Sequence, residues 1–222
     1  MAARNELPLT GAADTRDDKR DRILHAAMET FREKGFAAAT TLDIATRARV
    51  SKRELYALVG NKQELLVACI TERATRLDAP ADTPVPRDRQ ALQHVLASFG
   101  RRLLREVTEP TVVAIFRLAI AEANNAPEVA QALDSIGRGT SRAALRRIMA
   151  EARTSGLLDG RPAPLAEQFG GLLWCDLMVS LLMGVAERPS LREMAERAHT
   201  AAAAFLTLHP MPNDRATSRR DN

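Results

Sequence analysis

Between Thr40 and Lys62 the chain reads TTLDIATRARVSKRELYALVGNK, which constrains its fold more tightly than any other stretch. Leu42, Ile44, Ala45 and Ala48 suit one short helix packed inward, and Val50, Leu55, Leu58 and Val59 suit a second packed against it. Ser51 followed by Glu54 forms a capping box, so the second helix starts near Lys52. Its exposed first turn carries Lys52 and Arg53, with Tyr56 one turn on, the side chains a recognition helix brings to DNA. Asn61 and Glu64 repeat the box and open a further helix near Lys62. Its first amides and that lysine suit a phosphate, because a helix N-terminus carries partial positive charge. The spacing is that of a helix-turn-helix.

Charge supports this reading. From Arg47 to Lys62 the cations are Arg47, Arg49, Lys52, Arg53 and Lys62 against the single anion Glu54, a net of +4. The whole chain is also +4, so the remainder cancels and the basic excess is concentrated on the motif. A solvated basic face on an ordinary helical hairpin is the bland alternative. Upstream, DKRDRILHAAMETFREKGF aligns Ile23, Ala26, Ala27, Thr30 and Phe31 on one face, and Gly35 closes that helix.

Taken together, ILHAAMETFREKGF, TTLDIA, VSKRELY and NKQELL, in this order from Ile23 to Leu66, resemble the DNA-binding domain of the TetR family of bacterial transcriptional regulators. The resemblance implies that Tyr56 and Lys62 contact phosphates, that Thr40 and Thr41 anchor the start of their helix on the DNA backbone, and that Lys52 and Arg53 lie in the major groove beyond the Ser51 cap. Two positions depart from the family pattern. Arg49 stands where the turn usually has Gly, and Ala57 and Val59 stand where His and Phe are usual. These changes bear on specificity rather than on function class.

The fold expected is all-α, about nine helices. The 222 residues, 45% of them hydrophobic, are enough for a small N-terminal three-helix domain and a larger helical ligand-binding and dimerisation domain. Ala, Leu, Arg, Glu and Met dominate, and β-branched alternation is rare. Residues 1–17 read as a flexible arm with neither polybasic nor signal-peptide character, and 209–222 as a flexible tail. The reader domain spans 18–78, including the start of a connecting helix. Pro80, Pro84 and Pro86 mark a break over 78–87, and the second domain covers 87–208. Its helices are expected over 89–107, 110–123, 127–155, 163–186 and 190–208, the last opened by a Ser190–Glu193 box. The arginine excess, against four lysines, reads as coding bias more than chemistry.

FGGLLWCDLMVSLLMGV is apolar almost all round and has to be buried. Asp176 interrupts it and its length barely reaches a span, so a subunit interface fits better than a membrane. The TetR resemblance implies a homodimer through 163–186 and 190–208, two recognition helices entering successive major grooves, and a near-palindromic double-stranded operator. Through FRLAIAEANNAPEV and GGLLWCDLM the C-terminal half is similar to one regulatory-domain subgroup of that family. A small-molecule effector is then expected in the second domain, setting DNA affinity by a shift of population, whether by releasing DNA or by strengthening its binding. Candidate lining residues are Phe99, Leu103, Phe116, Asn124 and Trp174, for which a plain core role is the competing account. Asp176 suits either a cationic ligand or an arginine across the dimer.

No cofactor or metal is expected, because His25, His94, His199 and His209 are scattered and Cys69 and Cys175 form no pair. The two cysteines read as buried, reduced thiols of a cytoplasmic protein, with a redox role for Cys69 as an alternative. Gly137-Arg138-Gly139 lacks a dinucleotide fingerprint and reads as a site of close helix approach. No catalytic constellation is visible, so an enzyme is not expected. A helical interaction or small-molecule-binding protein, whose basic hairpin docks an acidic partner without reading DNA sequence, stays as the alternative.

Overall fold

The computed structural model of the chain describes residues 15–75, 85–121, 123–124 and 127–211. Among them are eleven α-helices, one π-helical turn and no strand. In the first domain, α1 (Arg16–Ala38), α2 (Thr41–Ala48) and α3 (Lys52–Leu58) lead to α4 (Lys62–Thr75). The second contains α5 (Arg89–Val107), α6 (Pro110–Ala121), α7 (Pro127–Ala132), the π-helical turn (Leu133–Arg138), α8 (Gly139–Thr154), α9 (Pro162–Trp174), α10 (Leu177–Met183) and α11 (Leu191–Leu208).

Local sequence sets most helix starts. Thr15 with Asp18, Thr40 with Asp43, Ser51 with Glu54 and Ser190 with Glu193 each form a complete capping box, satisfying donors that a helix N-terminus leaves orphaned. The Thr15 box starts α1 at Arg16, inside the stretch read as an arm; residues 1–14, like the tail 212–222 and the proline-marked stretch 76–84, lie outside the described residues. Gly35 (φ 75°) breaks the helical path near the end of α1.

Helix ends are handled by distant cations. Arg22 donates to Ala48 O at the end of α2, Arg197 to Leu173 O and Trp174 O at the end of α9, and Arg117 to Leu181 O and Leu182 O at the end of α10. Arg89 donates to Leu206 O and His209 O at the end of α11, and Arg188 to Arg105 O in the last turn of α5. Each places positive charge at the negative end of a helix and satisfies carbonyls with no intrahelical partner. The arginines read as coding bias therefore include structural caps.

Two expected helices are broken. The element expected over 127–155 is interrupted by the π-helical turn, and the one expected over 163–186 stops at Cys175 (φ 45°, ψ −122°) and resumes at Leu177, bent by 54°. The nine expected helices become eleven through these two breaks. No single helix among the described residues is long and apolar enough to cross a membrane; α9 and α10 reach that length and composition only as the bent pair.

Two apolar cores form. The larger gathers α5, α8, α9, α10 and α11 around Leu96, Phe99, Met149, Phe169, Leu173 and Phe205, with Phe169 and Phe205 edge to face at 5.8 Å. The smaller is the reader's core, around Ile23, Leu24, Phe31, Ile44, Leu55 and Leu65, and it extends into α6, α7 and the π-helical turn through Ile115, Ala119, Val129 and Leu133. These later helices seat the reader on the second domain. At Gly137 a Cβ would make only ordinary contact with Ile70 of α4, at 3.6 Å, and its tighter neighbour is Leu133 of the same turn at 3.3 Å, so the approach of the π-helical turn to α4 does not depend on the glycine.

Candidate nucleic-acid interface

The face formed by α2, the turn and α3 is built from its caps outward. Thr40 Oγ1 accepts from the Asp43 N–H at 3.1 Å, and Ser51 Oγ accepts from the Glu54 N–H at 3.1 Å. Between them the chain closes α2 with a Schellman motif, Val50 N donating to Ala45 O and Arg49 N to Thr46 O. That motif needs a left-handed residue, and Arg49 supplies it at φ 55°, ψ 45°. The family's turn glycine is thus replaced at a position whose geometry still calls for one.

Buried Leu55 pins α3 to the core, and its outer side carries Lys52, Arg53, Tyr56 and Ala57, all exposed. Lys52 Nζ stands 5.8 Å from the centre of the Tyr56 ring, and Tyr56 Oη lies 3.4 Å from Thr41 Oγ1. The structure therefore brings Thr41, Lys52 and Tyr56 together, with Arg53 and Arg49 beside them. Neither guanidinium has a hydrogen-bond or ion-pair partner among the described residues. Leu42, expected to pack inward, is 61% exposed. Ile44, Ala45 and Ala48 already fill the inward arc of α2, and two residues before Ile44 the helix has turned away by about 200°.

The carboxylates of α2 and α3 pair with lysines of α1. Lys19 holds Glu54 at 2.8 Å, and this contact, with the Ser51 backbone and hydroxyl, draws the Glu54 carboxyl down to about 2. Lys34 pairs with Asp43 at 2.9 Å and, with Thr40, draws it to about 2 as well. Arg47 bonds Glu33 and holds that carboxyl below its usual range. Glu54 is thus committed to capping and to α1, leaving the outward charge of α3 cationic.

Both its place at the start of α4 and the family resemblance lead to the expectation that Lys62 contacts a phosphate. In the structure its three ammonium protons meet Phe36 O (2.9 Å), Ala37 O (3.3 Å) and Ala39 O (3.2 Å), and Nζ lies 4.5 Å from the Phe36 ring centre. It ties the start of α4 to the end of α1. Asn61 Oδ1 accepts from Gln63 N and Glu64 N, and Glu64 Oε2 from Asn61 N, completing the expected box. The signal missed in the sequence is that three of the four lysines are fasteners of the reader rather than free charges.

The effector-site candidates do not converge. Phe99 and Leu103 are buried in the larger core with Trp174 packed on it, Phe116 packs on the reader's core, and Asn124 is exposed in the turn after α6. An open groove of about 470 Å³ lies elsewhere, between the start of α5 and the end of α11, lined by residues that include Arg89, Gln93, Thr207 and Met211. Cys69 is buried, with its thiol donating to Leu24 O, and burial pushes it up to about 12. It carries little thiolate near neutrality. Cys175, expected to be buried, is exposed at the break between α9 and α10, because the bend turns that position out of the helix packing. Among the described residues no group of three or more His, Cys, Asp or Glu is placed to hold a metal ion.

Residues 23–69 match the family model of the bacterial regulatory proteins of the tetR family, and residues 94–209 that of the AefR-like transcriptional repressor C-terminal domain. The chain belongs to the TetR family. It is 34% identical over 119 residues to the HTH-type transcriptional activator FasR of Mycolicibacterium smegmatis, covering 47% of this chain and 54% of that protein. An HTH-type transcriptional repressor of Mycobacterium tuberculosis is 29% identical over 114 residues, 51% of this chain and 56% of its own. The chain spans about half the length of the curated relatives it matches. The crystal structure of a TetR transcriptional regulator from Agrobacterium tumefaciens superposes with a TM-score of 0.74 at 29% identity, covering 89% of this chain and 97% of that one. The family models fall on the two halves that the helices build, a capped reader and a larger helical domain.

Proposed function

We propose that this TetR-family chain is a sequence-specific DNA-binding transcriptional regulator with no enzymatic activity, acting in the bacterial cytoplasm as a ligand-responsive repressor. The observation that carries the reading is the cationic outer side of α3, where Lys52, Arg53 and Tyr56 stand exposed while the adjoining carboxylates are held by lysines of α1. Thr40 and Thr41 start α2 against the DNA backbone, Ser51 sets the start of α3, Tyr56 and Lys52 contact phosphate or groove edge, and Arg53 reads a base, guanine O6 and N7 being its usual partners. Lys62 acts on DNA indirectly, by fixing α4 and hence α3 against α1. Repression is favoured by the match of the second half to a repressor domain.

The operator is a near-palindrome because the chain acts as a homodimer. Gly171 of α9, Cys175 at the break, and Val179 and Met183 of α10 are exposed, and nothing lies within 4 Å of a Cβ at Gly170 or Gly171. Such a small and apolar stripe suits a second copy of these helices and of α11. The effector is a small molecule in the second domain. Its signal reaches the reader through α6, α7 and the π-helical turn, which share the reader's core.

The test is binding of the purified protein to its own upstream region against scrambled duplex at near-physiological salt. Competitor-resistant binding, with Tyr56→Phe weakening it broadly and Arg53→Ala changing base preference, supports the reading. Sequence-blind, purely salt-driven binding would favour the interaction-protein alternative, and unchanged base preference in Arg53→Ala would remove α3 as the recognition helix.

A further inference from the structure

Between Thr40 and Lys62 two large hydrophobic side chains stand in water, Tyr56 (46% exposed) and Leu42 (61% exposed). Tyr56 belongs to the interface already described, but Leu42 has no role there. The other sides of α2 are occupied. Ile44, Ala45 and Ala48 enter the core, Asp43 and Arg47 turn to α1 to meet Lys34 and Glu33, and Thr41 reaches Tyr56 of α3. What remains is the strip of Leu42 and Thr46, one turn apart and both exposed, with the Thr46 hydroxyl folded back on Leu42 O at 2.8 Å. The strip begins one residue beyond Thr41, whose hydroxyl meets that of Tyr56 of α3.

We propose that Leu42 is a specificity-determining residue that packs against the 5-methyl group of a thymine in the operator. The proposal rests on the reading of α2 and α3 as the DNA-reading unit. Leucine offers no hydrogen bond to a phosphate or a base edge, so on a DNA-facing surface its partner is apolar. The thymine methyl is the one apolar group that base pairs present in the major groove. Exposed as it is, Leu42 adds nothing to the core in the free protein and gains its contact only on binding. A methyl withdrawn from water against it changes affinity by about four-fold.

The experiment uses the full chain and a duplex operator recovered by selection from a random duplex pool, with each thymine replaced in turn by deoxyuridine, which lacks only the methyl. Wild type weakens by about four-fold at one thymine per half-site. Leu42→Ala binds the parent operator more weakly and is indifferent to that replacement, and Leu42→Met restores the discrimination. A flat series for wild type, or equal discrimination by Leu42→Ala, overturns the proposal while leaving the DNA-reading unit intact; a uniform loss in Leu42→Ala with unchanged discrimination means packing on sugar and overturns it likewise. If the pool yields no selected sequence, the DNA-reading assignment fails and the proposal falls with it.

Discussion

At the scale of single residues, the reader is held by side chains whose partners lie far off in sequence. All four lysines of the chain, Lys19, Lys34, Lys52 and Lys62, fall in this domain. Lys19 and Lys34 neutralise Glu54 and Asp43, Lys62 closes on three carbonyls, and Lys52 alone faces outward beside Tyr56. Arg49 is the one strained residue of this face. Its left-handed conformation costs about 1 kcal/mol for any residue with a Cβ. Arg49→Gly is therefore expected to raise stability by about 1 kcal/mol, a melting temperature about 2–4 °C higher, whereas Arg49→Ala gains nothing. Thermal unfolding of the three proteins checks this; an equal rise in both variants would assign the gain to lost charge instead. The sequence exposed Arg49 as a departure from pattern, but only the backbone dihedral tells that the position still demands a glycine.

At the scale of elements, the capping signals were the most legible part of the chain. The boxes at Ser51, Asn61 and Ser190 mark helix starts because their chemistry is complete within four residues. The breaks at Cys175 and across 133–138 were not legible, since apolar residues resume at helical spacing on the far side of each and the carbonyls freed at Cys175 are met by Arg197, more than twenty residues away. Leu42 was misread for a related reason, as an eight-residue helix offers too few apolar positions to fix its inward arc. The join of α3 and α4 turns on Gly60 (φ 102°), where a Cβ would sit 2.1 Å from Glu64 Oε2 and push that carboxylate off the Asn61 N–H. Gly60→Ala is expected to lose about 1–3 kcal/mol, combining the left-handed penalty with a broken cap. Chemical denaturation measures it, and a loss confined to the left-handed penalty would show in Gly60→Ala combined with Glu64→Ala, where no cap remains to break.

For the whole molecule, pH and assembly are the observables. Asp43 and Glu54 fall to about 2 from ordinary values of 3.8 and 4.5, so their stabilising contribution is present in full above those ordinary values and is lost as pH falls through the folded values. The reader is expected to weaken between about pH 5 and pH 2, first seen as lost amide protection in α2 and α3; Lys19→Gln, which lets the folded Glu54 value rise, lowers α3 protection already at neutral pH and leaves less to lose on acidification. An undiminished acid loss in that variant would detach the Lys19–Glu54 pair from acid stability. In assembly, Val179→Glu with Met183→Glu is expected to yield a monomer by sedimentation that keeps single half-site binding and loses the palindrome's advantage. A dimeric mass in that variant would move the interface off α9 and α10.

The sequence by itself determined the all-α class, the reader's helix order and the exposed cationic side of α3, because capping boxes, turn residues and the apolar positions of α1 act over one or two helical turns. Only the tertiary structure decided that Lys62 clasps the end of α1, that α6 and α7 complete the reader's core, that the apolar C-terminal helix bends at Cys175, and that Phe99 and Phe116 serve different cores. Each of these depends on which helix faces meet. That choice is made by non-directional burial of apolar surface among many amphipathic helices, with polar groups then bonding whatever carbonyl or carboxylate the packing brings within reach.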